Sequence, residues 1–360
     1  MTDSSGQIMT VLGEIAPEQL GRTHMHEHLL IDFLAVSSDK QSGHASAYAS
    51  TASGTGRFEA PLTLENVYDA RRNPFAYKQT LQLNVISEAV RAMNEFRYAG
   101  GSGLVEVTPM GVGRDPEGLR EIALASGVTI VMGTGFYVHD YQPASLNEMA
   151  PEQIAELIVR DFEEGTGVNN VRPGIVGEVG LTWPMHPDEV RSLTAATLAS
   201  KQTGMAITVH PGRNPDAPMA AVKIVEAAGG DPSRLIIGHI DRTLFDIKDM
   251  IEVASTGALI EFDLFGLESS YYPLTDIDMP NDATRVEYIA ELFAAGFGQQ
   301  VTVGQDCDTR TRYTQFGGEG YQHIISHVIP VMLRKGLSTA DVDQILVQTP
   351  RRMLTLADPA

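Results

Sequence analysis

Eight short apolar runs recur along the chain, and most are followed by a turn and then a stretch of helical periodicity. They are GRTHMHEH (21–28), GLVEVTP (103–109), VTIVMGTGFY (128–137), GIVGEVG (174–180), AITVHPG (206–212), RLIIGHID (234–241), GALIEFDL (257–264) and QVTVGQD (300–306). Unbroken apolar strands that alternate with amphipathic helices build a parallel sheet covered on both faces, and eight such units close a barrel. The expected fold class is therefore α/β, a (β/α)8 TIM barrel. An open doubly wound sheet would carry a glycine-rich phosphate fingerprint after its first strand. None follows residue 28.

One segment breaks the repeat. Residues 32–100 open with the small-residue stretch AVSSDKQSGHASAYASTASGTG and continue into expected helices near 63–73 and 77–98. A connection this rich in loop residues reads as an insertion or lid. The chain is thus expected to be one domain over residues 1–360, with an elaborated first βα connection at 32–100.

Composition narrows the partners. The 360 residues carry a formal net charge of −20, which excludes a general nucleic-acid surface, because phosphate binding is driven by clustered Lys and Arg. An anionic membrane is disfavoured for the same reason. Cys307 is the sole cysteine, so no intramolecular disulfide forms and a reducing compartment is expected. The N-terminus has no basic stretch leading into an apolar one, and no uninterrupted apolar segment approaches about 18 residues. A cytoplasmic protein acting on a small molecule is the expectation.

Polar residues of metal-ligand type stand where the strands end: His26 and His28 on the first, Glu178 on the fourth, His210 on the fifth, His239 on the sixth and Asp306 on the eighth. Active sites of this architecture lie on the face formed by the C-terminal ends of the strands. Four imidazoles and two carboxylates left empty there would be poorly satisfied, whereas divalent metal turns them into a ligand set. Mixed nitrogen and oxygen donors suit zinc, with manganese, cobalt or iron(II) as alternatives. Six ligands exceed what one open tetrahedral ion needs, so two ions about 3.5–4 Å apart are expected. Glu178 would bridge them, one ion taking His26, His28 and Asp306 and the other His210 and His239. A water between the ions would lose its proton near neutral pH, and Asp306 is placed to accept it. His24 alternates with His26 and His28, and alternation puts all three on one strand face, each about 6.6–6.8 Å from the next.

These stretches, in this order, resemble the phosphotriesterase family of the amidohydrolase superfamily, most closely its phosphotriesterase-related proteins. The resemblance runs nearly end to end, through TVLGEIAPEQLGRTHMHEHLL (10–30), GIVGEVGLTWP (174–184), ITVHPGR (207–213), GHIDRT (238–243), EFDLFG (261–266) and GQDCDTRTRYTQFGGEGYQHI (304–324). Position by position it implies the ligands His26, His28, His210, His239 and Asp306 with a bridge at Glu178. It also implies hydrolysis and, by family habit, a homodimer. Two departures stand out. Many members bridge their metals with a carboxylated lysine, which this chain replaces by Glu178, so its assembly should not need carbon dioxide. His24 stands where an aliphatic residue is usual, and is read as a core histidine or a neighbour of the ligands.

The scissile bond is less constrained, because a site that attacks a carbonyl also suits a phosphoryl centre. Tyr137 is a candidate for orienting water or substrate. Arg213, Arg242, Arg310 and Arg312 closely follow ligand positions, and guanidinium groups pair with carboxylate, sulfonate or phosphate. Internal pairing with Asp241, Asp308 or Glu319 is the alternative. With Arg213 and Arg242 as substrate contacts, the reading is a hydrolase for a small anionic N-acyl amide, carboxylic ester or lactone. A phosphotriester hydrolase and a metal-retaining binding protein without turnover are the rivals.

Overall fold

The computed structural model describes residues 4–34, 57–270, 272 and 274–359. Eight parallel strands form one sheet in sequence order: β1 (Thr23–Glu27), β2 (Gly103–Glu106), β3 (Thr129–Thr134), β4 (Ile175–Gly180), β5 (Ile207–His210), β6 (Leu235–Ile237), β7 (Leu259–Phe262) and β8 (Val301–Val303). The sheet curls until its edges meet. The Asp306 N–H donates to the His26 carbonyl at 3.1 Å. A Cβ on Gly304 would lie 2.6 Å from that same carbonyl oxygen, so the close approach of β8 to β1 requires glycine. The expected TIM barrel is the observed fold.

Helices α1 (Ile86–Tyr98), α2 (Pro116–Ser126), α3 (Pro151–Glu164), α4 (Pro187–Thr203), α5 (Ala217–Ala227), α6 (Ile247–Ser255) and α7 (Asp282–Ala294) alternate with the strands. Their ends are set locally. Proline occupies the first turn of α2, α3 and α4, where a missing N–H costs nothing. Asp115 caps α2 by accepting from the Gly118 N–H, and Asn281 caps α7 by accepting from Thr284. Outward-facing strand residues such as Val176, Ile207, Val209 and Ile260 pack with the helices in one large core. Inside the barrel, Met25, Val105, Val131, Ile175, Ala206, Ile236 and Leu259 form an apolar floor. The residues expected to ligate metal lie above this floor, toward the strands' C-terminal ends.

Two expectations are corrected here. The β1–β2 register shifts between His24 and Glu27, which breaks the simple alternation. Met25 joins the apolar floor, His26 also turns inward, and His24 faces out, with its ring 4.8 Å from Phe96 of α1 and its Nδ1 2.9 Å from Glu27. The three histidines do not share a face, and His24 is a core residue of the helix layer. In the insertion, helices occupy Val67–Arg72 and Ile86–Tyr98 rather than 63–73 and 77–98. Between them Gln82–Leu83 pairs antiparallel with Ile31–Asp32, because a tertiary strand partner outweighs local helical pattern. The stretch AVSSDKQSGHASAYASTASGTG, residues 35–56, lies outside the described residues. Among the described residues no helix is long and apolar enough to cross a membrane.

The loops above the barrel are tied by a buried ion pair. Arg285 of α7, fully enclosed, donates to Asp241 at 2.6 Å, Asp282 at 2.8 Å and the Leu267 carbonyl at 2.9 Å. It joins the loops that follow β6 and β7. Arg285→Leu leaves the Asp241 carboxylate buried without its partner and should lower unfolding free energy by about 3–5 kcal/mol. Urea unfolding measures this, and a loss below about 1 kcal/mol would show that the pair contributes little.

Candidate active site

Glu178 stands at the centre of the strand ends. Its Oε2 lies 3.0 Å from His210 Nδ1, 3.5 Å from His239 Nε2 and 3.7 Å from His26 Nε2, and its Oε1 lies 3.3 Å from His28 Nε2. Asp306 Oδ1 is 3.2 Å from His28 Nε2 and 3.7 Å from His26 Nε2. All six residues expected from the strand ends are thus brought together. Two sets, His26–His28–Glu178 and Glu178–His210–His239, each have ligand-type atoms within 4.8 Å of one another, and Glu178 belongs to both.

Not all six lie within strands. His239 and Asp306 follow the ends of β6 and β8 and adopt left-handed backbone, with φ of 53° and 49°. Histidine and aspartate tolerate that region better than most residues, yet such outliers cluster at functional sites. The two side chains meet above the strand ends, His239 Nδ1 lying 3.9 Å from Asp306 Oδ2.

Neighbouring acceptors decide which ring nitrogens face the cluster. His239 Nδ1 is 2.9 Å from Asp263 Oδ1, and its backbone N–H donates to Asp263 Oδ2 at 2.8 Å. That holds a ring proton on Nδ1 and directs Nε2 into the cluster, 2.8 Å from His210 Nδ1 and 3.5 Å from Glu178 Oε2. For His28 the same result comes through a relay. Thr108 donates its hydroxyl proton to Glu106 at 2.6 Å, so it can only accept from His28 Nδ1 at 2.8 Å. His26 Nε2 is buried with no hydrogen-bond partner. His210 differs: Arg242 donates to its Nε2 at 3.1 Å, so an ion on Nδ1 requires the ring proton to move to Nε2.

Charge within the cluster is strongly coupled. Burial raises the Glu178 carboxyl, but hydrogen bonds from His210, His239 and His28 outweigh it and hold the group well below the usual carboxylate range. Burial lowers His28, yet Asp306 and Glu178 push it up to about 10. Asp306 is held below its ordinary value, burial opposing and His28 prevailing. These are the signs expected where carboxylates demand a counter-charge, which protons or divalent cations can supply. The unpartnered His26 Nε2, the Nε2 atoms of His28 and His239 that their Nδ1 partners turn toward the cluster, and the carboxylate shared by two triads all fit divalent metal.

A cavity of about 550 Å³ opens above the cluster and includes Tyr137, Arg213 and Arg242 in its lining. The Tyr137 hydroxyl is 3.3 Å from His210 Nδ1, and burial followed by the Glu178 charge raises its pKa well above the ordinary value, so it remains a neutral donor. Arg213 donates to the Tyr272 hydroxyl at 3.2 Å, and Arg242 to the Pro211 carbonyl at 3.1 Å. Neither arginine forms an ion pair among the described residues. Burial and the adjacent Arg213 charge lower the Arg242 pKa. The other two arginines are already satisfied: Arg310 pairs with Glu88, and Arg312 with Glu319. Internal pairing was the correct reading for Arg312.

Several residues that matter here carried no assigned role from the sequence. Glu106 and Thr108 orient His28, Asp263 orients His239, and Glu27 accepts from the backbone of Gln305 and Cys307 across the barrel seam. Their signal was present: acidic residues in otherwise apolar strands, as in LIEFD at the end of β7.

A barrel with histidines and carboxylates converging at the strand ends is the architecture of a metal-assisted hydrolase. The chain belongs to the phosphotriesterase family, whose model matches residues 6–354, and it is a hydrolase. It is 37% identical over 358 residues to the N-acetyltaurine hydrolase of Salmo salar and 38% identical over 357 residues to that of Tetraodon nigroviridis, in both cases across 99% of each chain. A crystal structure of a resiniferatoxin-binding protein from Rhodobacter sphaeroides superposes with a TM-score of 0.88 at 30% identity, covering 97% of this chain and 95% of that one.

Proposed function

We propose that the chain is a binuclear metal-dependent amidohydrolase for small N-acyl amides whose amine half carries an anionic group, N-acetyltaurine being the first compound to test. The observation that carries this reading is the pair of arginines, buried Arg242 and part-buried Arg213, beside the cluster and without ion-pair partners among the described residues. Two like charges held close together in a cleft repel, and an anionic substrate group relieves that repulsion. The N-acetyltaurine hydrolases supply the matching chemistry in their name, since taurine derivatives carry a sulfonate.

His26, His28 and Asp306 would hold one ion and His210 and His239 the other, with Glu178 shared. Zinc is the expected metal, and such ions supply Lewis acidity and a hydroxide nucleophile at neutral pH. Asp306, kept ionised by its histidine neighbours, takes the proton of the attacking water at its carboxylate. It then returns that proton to the departing amine nitrogen as the C–N bond breaks. The Tyr137 hydroxyl donates toward the carbonyl side, while Arg213 and Arg242 fix the anionic end so that the amide lies over the cluster.

Elemental analysis of active protein should find two divalent ions per chain, and Glu178→Ala should lose metal and rate together. Bicarbonate during reconstitution should not change wild-type activity; bicarbonate-dependent activation would mean that Glu178 is not the bridge.

Asp306→Asn should lower kcat by about 10²-fold or more while substrate still binds, as expected on removing a general base. Metal content is measured in parallel, because a fully loaded and active variant would exclude the role.

Substrate choice is tested by comparing kcat/KM for N-acetyltaurine, N-acetylethylamine, a lactone and a neutral phosphotriester. Arg213→Met and Arg242→Met should each raise KM for the sulfonate at least tenfold, with the neutral amide little affected. Preference for the neutral triester, or equal damage to charged and neutral amides, would overturn the proposal.

A further inference from the structure

Beneath the cluster, a glutamate that the proposed chemistry does not use lies inside the barrel. Glu261 of β7 is fully buried, and neither of its carboxyl oxygens has a hydrogen-bond partner. The register pairs it with Thr302 of β8, whose buried hydroxyl also lacks a partner. A carboxyl group enclosed without any donor is among the costliest arrangements a core can hold, so a role is required. The nearest ring donor is His26 Nδ1, 3.4 Å from Glu261 Oε2 and itself without a hydrogen bond.

Asp263, two residues further along, is 3.3 Å from the same His26 nitrogen, but its oxygens already serve His239. Oδ1 faces the His239 ring nitrogen and Oδ2 accepts the His239 backbone N–H. The two acidic residues can therefore divide the work, one for each histidine. Space is tight around His26: a Cβ on Gly238 would come within 3.5 Å of its Nδ1, and a Cβ on Gly304 within 2.9 Å of its own Cβ. With the ring so confined, one acceptor below it suffices to set both its tautomer and its tilt.

We propose that Glu261 is a positioning residue that accepts the His26 Nδ1 proton and so fixes the ring with Nε2 directed at Glu178 and Asp306. This rests on the reading of His26 as a metal ligand, and its test separates the two ideas. Outer acceptors of ligand histidines are worth about 10- to 100-fold in metal affinity.

Two measurements on the full chain decide the matter. In protein labelled with ¹⁵N at histidine, stripped of metal and held at alkaline pH so that the ring is neutral, long-range ¹H–¹⁵N correlation should show the His26 proton on Nδ1 in wild type. The signal should shift to a tautomer mixture in Glu261→Ala and return toward wild type in Glu261→Gln, whose amide oxygen still accepts. After reconstitution with zinc, chelator competition should show one of two equivalents lost from Glu261→Ala at about 10- to 100-fold lower chelator, the other equivalent unchanged and the Gln variant within about threefold of wild type. The proposal is overturned if the Ala variant keeps both the tautomer and both ions, or if the Gln variant loses both ions equally together with thermal stability. If wild type retains no zinc but the tautomer still responds to Glu261→Ala, the positioning role stands and the metal reading falls.

Discussion

Glu178, removed from water and surrounded by ring nitrogens of four histidines, is the constraint to which the rest of the structure answers. An ionised carboxylate in that position is tolerable only if positive charge is supplied at short range and each histidine offers a defined nitrogen. His26 and His28 come from the end of β1, His210 from β5 and His239 from the end of β6, so the cluster exists only when the barrel is closed and in register. Closure and site assembly are one event physically. The seam that brings β8 to β1 runs through the His26 carbonyl, the backbone of a proposed ligand.

Around this centre the protein arranges acceptors before it arranges anything else. The Glu106–Thr108–His28 relay and the Asp263–His239 pair act on the far sides of the rings, where they turn the near nitrogens toward the cluster. Without such partners an imidazole rotates and exchanges tautomers, and a ligand set with undefined donors binds metal weakly. The apolar floor beneath matters for the same reason, because it keeps water from competing for these hydrogen bonds.

The arginines show how identical residue types diverge by position. Arg285 and Arg312 pair with carboxylates and hold loops in place. Arg213 and Arg242 line the cavity, and among the described residues their hydrogen bonds go to a phenol, a carbonyl, a hydroxyl and a ring nitrogen. In a chain of net charge −20, two guanidinium groups at the cleft, without ion-pair partners among the described residues, create a local field opposite to the global one. That contrast is the reason the proposed substrate is anionic.

Periodicity and residue type were enough to read the barrel, because a buried parallel strand must be apolar on both faces and a covering helix on one. They were enough, too, to pick out His26, His28, Glu178, His210, His239 and Asp306, because a polar residue ending an apolar strand has no local use. What the sequence could not decide depends on partners distant along the chain. The bulge that turns His24 outward, the salt bridge between Arg310 and Glu88, and the strand pairing of Gln82–Leu83 with Ile31–Asp32 all join segments whose separation carries no local signal. Local pattern reports how a side chain alternates along its own strand. Only packing decides which carboxylate an arginine meets and which nitrogen a histidine presents, since those outcomes are set by desolvation and by donors that tertiary structure alone brings within reach.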